Sequence, residues 1–138
     1  MTDLKLRAVD SPDIEVIASA IQDAIFQIGQ TRYDSAGRSF TLRLTRYMHE
    51  TKKPQRIESG LRFDGVMSVK SQGVETGKSD AFAVVLGLEF ELQDAPAGQF
   101  NLLLAGGGII RLSVEAIDIT LADRGDPSPT KRIPDHDR

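Results

Sequence analysis

The chain has 138 residues, 40% of them hydrophobic and 27% charged, with a formal net charge of −3; that is the length of one domain and a composition too apolar for a disordered chain. It contains no cysteine, which excludes disulfide scaffolds, thiolate metal sites and thiol nucleophiles and fits a reducing compartment. Met1–Arg7 lacks the basic start and apolar stretch of a secretory signal and no run reaches the roughly 18 apolar residues of a membrane helix, so a soluble, cytoplasmic protein with no membrane partner is expected.

Leu4, Leu6 and Ala8 alternate with Lys5, Arg7 and Val9, which predicts a short first strand. Asp10-Ser11-Pro12 then reads as a helix start. Asp10 or Ser11 can accept from an unpaired amide, Pro12 needs no N–H in the first turn, and Asp13 and Glu15 suit the positive helix end. Ile14, Ile17, Ala18, Ile21 and then Ala24 or Ile25 form one apolar stripe over three to four turns.

From Ile25 the period becomes two. A strand from Phe26 to Tyr33 is predicted, then a hairpin loop over Asp34–Arg38 with Gly37 at positive φ, then a return strand with Phe40, Leu42 and Leu44 on one face and Thr41, Arg43, Thr45 and Tyr47 on the other. After the polar loop His49–Gln55, Ile57, Leu61, Phe63, Met67 and Val69 occupy odd positions and predict one long half-buried strand. A second polar loop, Ser71–Asp80, precedes Phe82, Val84, Leu86, Leu88, Phe90 and Leu92, which read as the best-defined core strand, with Glu89 and Glu91 outward. Pro96 and Gly98 mark a turn, Phe100, Leu102 and Leu104 the next strand, and Gly106–Gly108 a turn into Ile110, Leu112 and Val114. The alternation slips to Ile117, Ile119 and Leu121, as a β-bulge near Glu115-Ala116 produces, with a short terminal helix as the competing reading.

These elements predict an α+β domain over residues 1–123. One N-terminal helix packs on a bent, mostly antiparallel sheet of about seven strands, with a partly closed barrel or roll, pleckstrin-homology-like by analogy only, as one way to close it. Residues 124–138, with three prolines and no periodicity, are expected to form an extended, flexible tail.

Leu61-Arg62-Phe63-Asp64-Gly65-Val66, Asp94-Ala95-Pro96-Ala97-Gly98 and Ala105-Gly106-Gly107-Gly108-Ile109-Ile110-Arg111-Leu112 resemble a family of small proteobacterial proteins described only as domain of unknown function 2948. The segments Leu6–Asp10, Ile21–Ala24 and Val114–Ile117 are similar to it as well, so the resemblance spans roughly residues 4–123. It implies a bacterial source and brings no activity, ligand or catalytic residue to any position.

No motif predicts a catalytic residue, a cofactor site or a metal site. Gly106–Gly108 lacks the G-x-G-x-x-G pattern, because Arg111 stands at the third glycine and a strand follows where a helix is needed. His49 and His136 are the only histidines, one in a loop and one in the tail, too few for a histidine-based metal or triad constellation. Glu89 and Glu91 share a strand face but read as ordinary solvated carboxylates. Arg124-Gly125-Asp126, though a cell-adhesion tripeptide, has no extracellular context.

Charge placement is the informative feature. Residues 32–62 carry eight basic side chains against three acidic ones, a net +5 that leaves −8 for the remainder. Arg43, Arg46, Tyr47, Arg56 and Arg62 therefore form the candidate interaction surface. The expected function is a non-enzymatic protein-interaction or accessory domain whose basic face or sheet edge meets an acidic protein partner or another copy of the chain. The alternatives are binding of RNA or single-stranded nucleic acid by the same face, and a small-ligand site or enzyme with a pocket between helix and sheet. Solvated strand faces and edges carry Lys and Arg for solubility alone, which is the reading each of these must displace.

Overall fold

In the computed structural model, which describes residues 4–74 and 80–131, helix α1 runs Ser11–Ile21. Asp10 caps it, its Oδ1 accepting from the Asp13 amide at 3.3 Å, and Pro12 sits in the first turn. Ile14, Ile17 and Ile21 are buried, so the predicted stripe is the packed face, lying against strands before and after the helix. Among the described residues no helix is long and apolar enough to cross a membrane.

Among the described residues ten strands follow the chain: β1 (Lys5–Ala8), β2 (Ile25–Gln27), β3 (Arg32–Asp34), β4 (Ser39–Tyr47), β5 (Gln55–Asp64), β6 (Val66–Gln72), β7 (Phe82–Leu92), β8 (Gly98–Leu104), β9 (Ile109–Val114) and β10 (Ile119–Pro129). They form one sheet in the order β1-β10-β5-β4-β2-β7-β8-β9-β6, with β3 paired beside β4, and every pairing is antiparallel. The α+β expectation holds. The count of about seven does not, and neither does the partly closed barrel, because the hydrogen-bonded path starts at β1 and stops at β6.

Three local features account for the higher count. The expected strand from Phe26 to Tyr33 is broken by a 3-10 turn over Ile28–Gln30, where the Thr31 amide and hydroxyl both donate to the Ile28 carbonyl. The long strand through Phe63 and Val69 bends at Gly65, whose φ of 71° shifts the alternation by one residue. Ile57, Leu61 and Phe63 are buried before it, Val66 is buried after it, and Met67, predicted inside, is 49% exposed. The bend is fixed by the Glu115 amide donating to the Gly65 carbonyl, the Val66 amide donating to the Arg38 carbonyl, and an ion pair between Arg38 and Glu115. Residues Glu115–Asp118 are consequently neither a bulge nor a helix. They form a corner that carries the chain from β9 to β10, which lies between β1 and β5.

β7 also departs from expectation. Its pairing with β8 shifts between Val85 and Gly87, so Val85 and Leu88 are buried while Phe82, Leu86 and Leu92 are exposed. In the β3–β4 hairpin Arg38, not Gly37, has positive φ. Space favours glycine at 37: a Cβ there would lie 2.5 Å from Asp34 Oδ2 and would displace the carboxylate whose other oxygen accepts from the Gly37 amide. β10 continues through Arg124–Pro129 after a register shift, Ser128 facing Arg56 and Pro129 facing Gln55, so the sheet extends six residues beyond the expected boundary at 123. Residues 132–138 of the expected tail, and 75–79 of the second polar loop, lie outside the described residues.

The core fills the space between the two halves of the sheet and the helix. Phe63 of β5 and Phe100 of β8 meet edge-on at 5.2 Å, and Phe90 packs on Phe100 at 4.8 Å. Each such pair contributes about 0.5–1.5 kcal/mol beyond its buried area.

The corner yields a test. A methyl at position 65 finds ordinary contacts, the nearest 3.5 Å away, so Gly65→Ala isolates the cost of left-handed backbone. Urea denaturation should show a loss of about 1–2 kcal/mol; an unchanged midpoint would mean the bend does not depend on that conformation.

Candidate functional site

β4, β5 and β10 lie side by side, and alternation divides their side chains between two faces with different chemistry. On the inner face Arg46 of β4, Ser59 of β5 and Asp123 of β10 are buried among the aliphatic core. Arg46 Nε and Nη2 donate to the two oxygens of Asp123, both at 2.8 Å, and Ser59 Oγ donates to Asp123 Oδ1 at 2.6 Å. Glu50, from the loop after β4 and half exposed, accepts from Nη1 at 3.1 Å and Nη2 at 2.6 Å.

Arg46 is therefore not part of a surface. Its side chain is 1% exposed, and its even position, in phase with Phe40, Leu42 and Leu44, is the signal that marks it as inward. Burial alone would push the Arg46 pKa down, but its hydrogen bonds to Asp123 and Glu50 more than offset this and raise it above the ordinary guanidinium value. Burial likewise works to raise Asp123, yet the Arg46 and Ser59 hydrogen bonds hold that carboxyl below its ordinary value. Glu50 is lowered chiefly by its bonds from Arg46.

On the outer face the same three strands form an open cleft of 810 Å³, within the roughly 300–1,000 Å³ typical of ligand sites. Its floor is built by register. Gly60 of β5 lies between Arg43 of β4 and Ala122 of β10, and Thr41 and Thr120 flank Arg62 in the neighbouring row. A Cβ at Gly60 would meet nothing within 4 Å, so the hollow exists because that position has no side chain.

Four arginines, 32, 43, 62 and 124, border this floor. Arg43 and Arg62 each approach a carboxylate through Nε, to Glu58 at 3.4 Å and Asp64 at 2.9 Å. Arg32 donates to the backbone carbonyls of Gly29 and Thr31, both at 2.9 Å. Among the described residues neither Arg32 nor Arg124 has a carboxylate within ion-pair distance. Four guanidinium groups against two carboxylates leave the cleft cationic in a protein that is acidic overall. Its concave wall lowers the local dielectric and strengthens attraction for an anion.

Of the predicted surface residues, Arg43 and Arg62 line the cleft and the other three do not. Arg56 lies over the Tyr47 ring at 5.6 Å and donates through Nη1 to the carbonyls of Asp23 and Thr45, joining the end of the helical region to β4. Tyr47 stands edge-on to His49 at 5.0 Å, and His49 Nε2 is 3.0 Å from the Gln22 carbonyl. Sequence reasoning counted Arg32 in the basic stretch 32–62 without placing it on the candidate surface, and left out Gly60 and Arg124. A glycine in mid-strand and the even phase of Thr120, Ala122 and Arg124 were the available signals for the last two.

The space between helix and sheet that an enzyme or ligand pocket was expected to use is smaller, 450 Å³, and is bordered by Glu15, Glu89 and Glu91. Among the described residues no group of three or more His, Asp or Glu side chains is arranged to hold a metal ion.

The buried network predicts a pH signature. Asp123 and Glu50 have folded pKa values below their unfolded ones, so their stabilisation is fully present above about pH 4–5 and is lost as pH falls through the folded values. Arg46→Met leaves Asp123 buried without its cation, which should cost about 3–5 kcal/mol at pH 7. An unpartnered buried carboxyl has a raised pKa, so this penalty should shrink as pH falls toward 4. Urea melts of both proteins across that range check the sign; a pH-independent difference would remove Asp123 ionisation as its cause.

Comparison with family models matches residues 4–136 to the family described as "Protein of unknown function (DUF2948)". Comparisons with curated proteins and with solved structures found no match. The match covers nearly the whole chain, including the β4, β5 and β10 strands that form the cleft, and the chain belongs to this family of proteins of unknown function.

Proposed function

We propose that this protein is a non-enzymatic binding module that holds an acidic segment of a protein partner in the β4–β5–β10 cleft. The observation that carries the reading is the row in which Arg43, Gly60 and Ala122 stand side by side, a cation next to a floor without bulk, with Arg32, Arg62 and Arg124 around it. Guanidinium groups suit carboxylates because their fork matches both oxygens, and the Nε contacts of Arg43 and Arg62 engage only the inner side of that fork.

The composition of the floor favours an acidic peptide over single-stranded nucleic acid. Sequence-tolerant binding of single strands relies on aromatic rings that stack bases. Among the described residues the cleft is lined by four arginines with Gln30, Asp64 and small or aliphatic residues and by no aromatic ring, and the nearby Tyr47 is engaged by Arg56 and His49.

The test uses an oligo-glutamate peptide and an oligo-deoxythymidine strand as probes, with fluorescence anisotropy at low and physiological salt. Arg43→Glu with Arg62→Glu should lower oligo-glutamate affinity at least tenfold, about 1.4 kcal/mol or more, and flatten its salt dependence. Gly60→Val should block binding while leaving the fold intact, since a β-branched residue suits a strand and has room here. Tighter binding of the oligonucleotide would replace the acidic-peptide reading with the nucleic-acid one. Binding of oligo-glutamate unaffected by either variant would locate the site elsewhere.

A further inference from the structure

We infer that the acidic segment bound in the cleft also carries a bulky apolar side chain, which docks on Phe82 of β7; this rests on the acidic-peptide reading above and specifies its ligand. The first half of β7 presents Phe82, Val84 and Leu86 on its outward face, and Phe82 and Leu86 are 69% and 48% exposed. Solvent-facing positions on a sheet with one buried face are ordinarily polar, so an apolar stripe beside a cationic cleft needs a reason. The stripe is left without the core role that alternation predicts for it, because the shift between Val85 and Gly87 turns Val85 and Leu88 inward, with Ala83 and Phe90 packed against the core beside them.

The stripe and the cleft are continuous. A second hollow, of 230 Å³, is bordered by Ile25, Gln27, Thr45 and the Glu58 carboxylate that Arg43 approaches, with Phe82 on one side and Arg43 on the other, and Arg43 and Gln30 border both hollows. Register explains the adjacency. Phe82 faces Gln27, and extending the Ile25–Thr45 and Phe26–Leu44 pairs by one residue sets Gln27 opposite Arg43. Phe82 thus stands two strands from Arg43, about 10 Å at the usual strand spacing, and Gly60 and Ala122 continue the same row on the far side.

An extended peptide rises about 3.3 Å per residue, and its side chains at i and i+2 point the same way. A chain crossing the strands along this row therefore meets Arg43 with a carboxylate and Phe82 with a residue two to four positions away. The ligand is an acidic stretch interrupted by one large apolar side chain. The apolar residue supplies specificity, because the charges alone attract any acidic sequence.

Two synthetic peptides test this, an oligo-glutamate and the same peptide with one central glutamate replaced by phenylalanine, each titrated into wild type and Phe82→Ser by fluorescence anisotropy. The phenylalanine peptide should bind wild type about tenfold more tightly than oligo-glutamate, as the loss of an interface anchor commonly costs. Phe82→Ser should erase that advantage and leave the oligo-glutamate affinity unchanged. Phe82 is largely exposed, and an unchanged melting temperature confirms that the variant is folded. Equal affinity of the two peptides for wild type would overturn the inference while the cleft reading stood. The same advantage persisting in Phe82→Ser would overturn the assignment to Phe82. Failure of both peptides, with binding of phosphatidylglycerol vesicles instead, would overturn the inference and the acidic-peptide reading together.

Discussion

Arg46 reaches from β4 across β5 to Asp123 on β10, and its paired bonds at 2.8 Å hold three strands in one register from beneath. Ser59 adds the middle strand by donating to the same carboxylate. A charge removed from water is tolerable only when its partners are complete, so slippage of β10 by one residue would leave Arg46 and Asp123 buried and unmatched. Residues next to this network in sequence, Gly60 after Ser59 and Ala122 before Asp123, form the floor of the cleft on the other face. Fixing the register of the buried face thereby fixes which small residues meet which arginines outside.

The two faces treat the same charge in opposite ways. Inside, Arg46 is saturated by a bidentate carboxylate and by Glu50, and its role is geometric. Outside, among the described residues, the arginines are only partly matched: Arg43 and Arg62 have one carboxylate each, approached at Nε, and Arg32 is steadied by backbone carbonyls without a carboxylate in reach. Exposed pairs of that kind contribute little to stability, and the proposed binding role rests on their concentration on one concave wall. The apolar stripe on β7 extends the same surface with a different chemistry, and the pairing of β2 with both β4 and β7 makes the two regions neighbours.

Much of this was legible in the residues. The cap at Asp10, the stripe Ile14–Ile17–Ile21, the buried faces of β4, β8 and β9, and the glycine turn at Gly106–Gly108 follow from local propensity and alternation, which act over a few residues. Alternation also placed Arg43 and Tyr47 on one outward face. It failed wherever one residue changed phase: Gly65 reversed the face for Val66 and Met67, and the shift at Val85–Gly87 turned Leu86 out of a run that otherwise looked like core. Such shifts are invisible in a hydrophobic pattern because a single extra or left-handed residue leaves composition untouched while inverting every side chain beyond it.

The sequence by itself determined the α+β class, the capped helix, the basic concentration between Arg32 and Arg62, and, through parity, the inward phase of Arg46 that charge counting obscured. Tertiary structure alone decided that β10 lies between β1 and β5, because strand order rests on contacts between residues far apart in the chain. That placement brings Asp123 to Arg46 on one face and Arg124 to the arginines of β3, β4 and β5 on the other. The cleft is a product of long-range pairing among residues that, read one segment at a time, are ordinary strand positions.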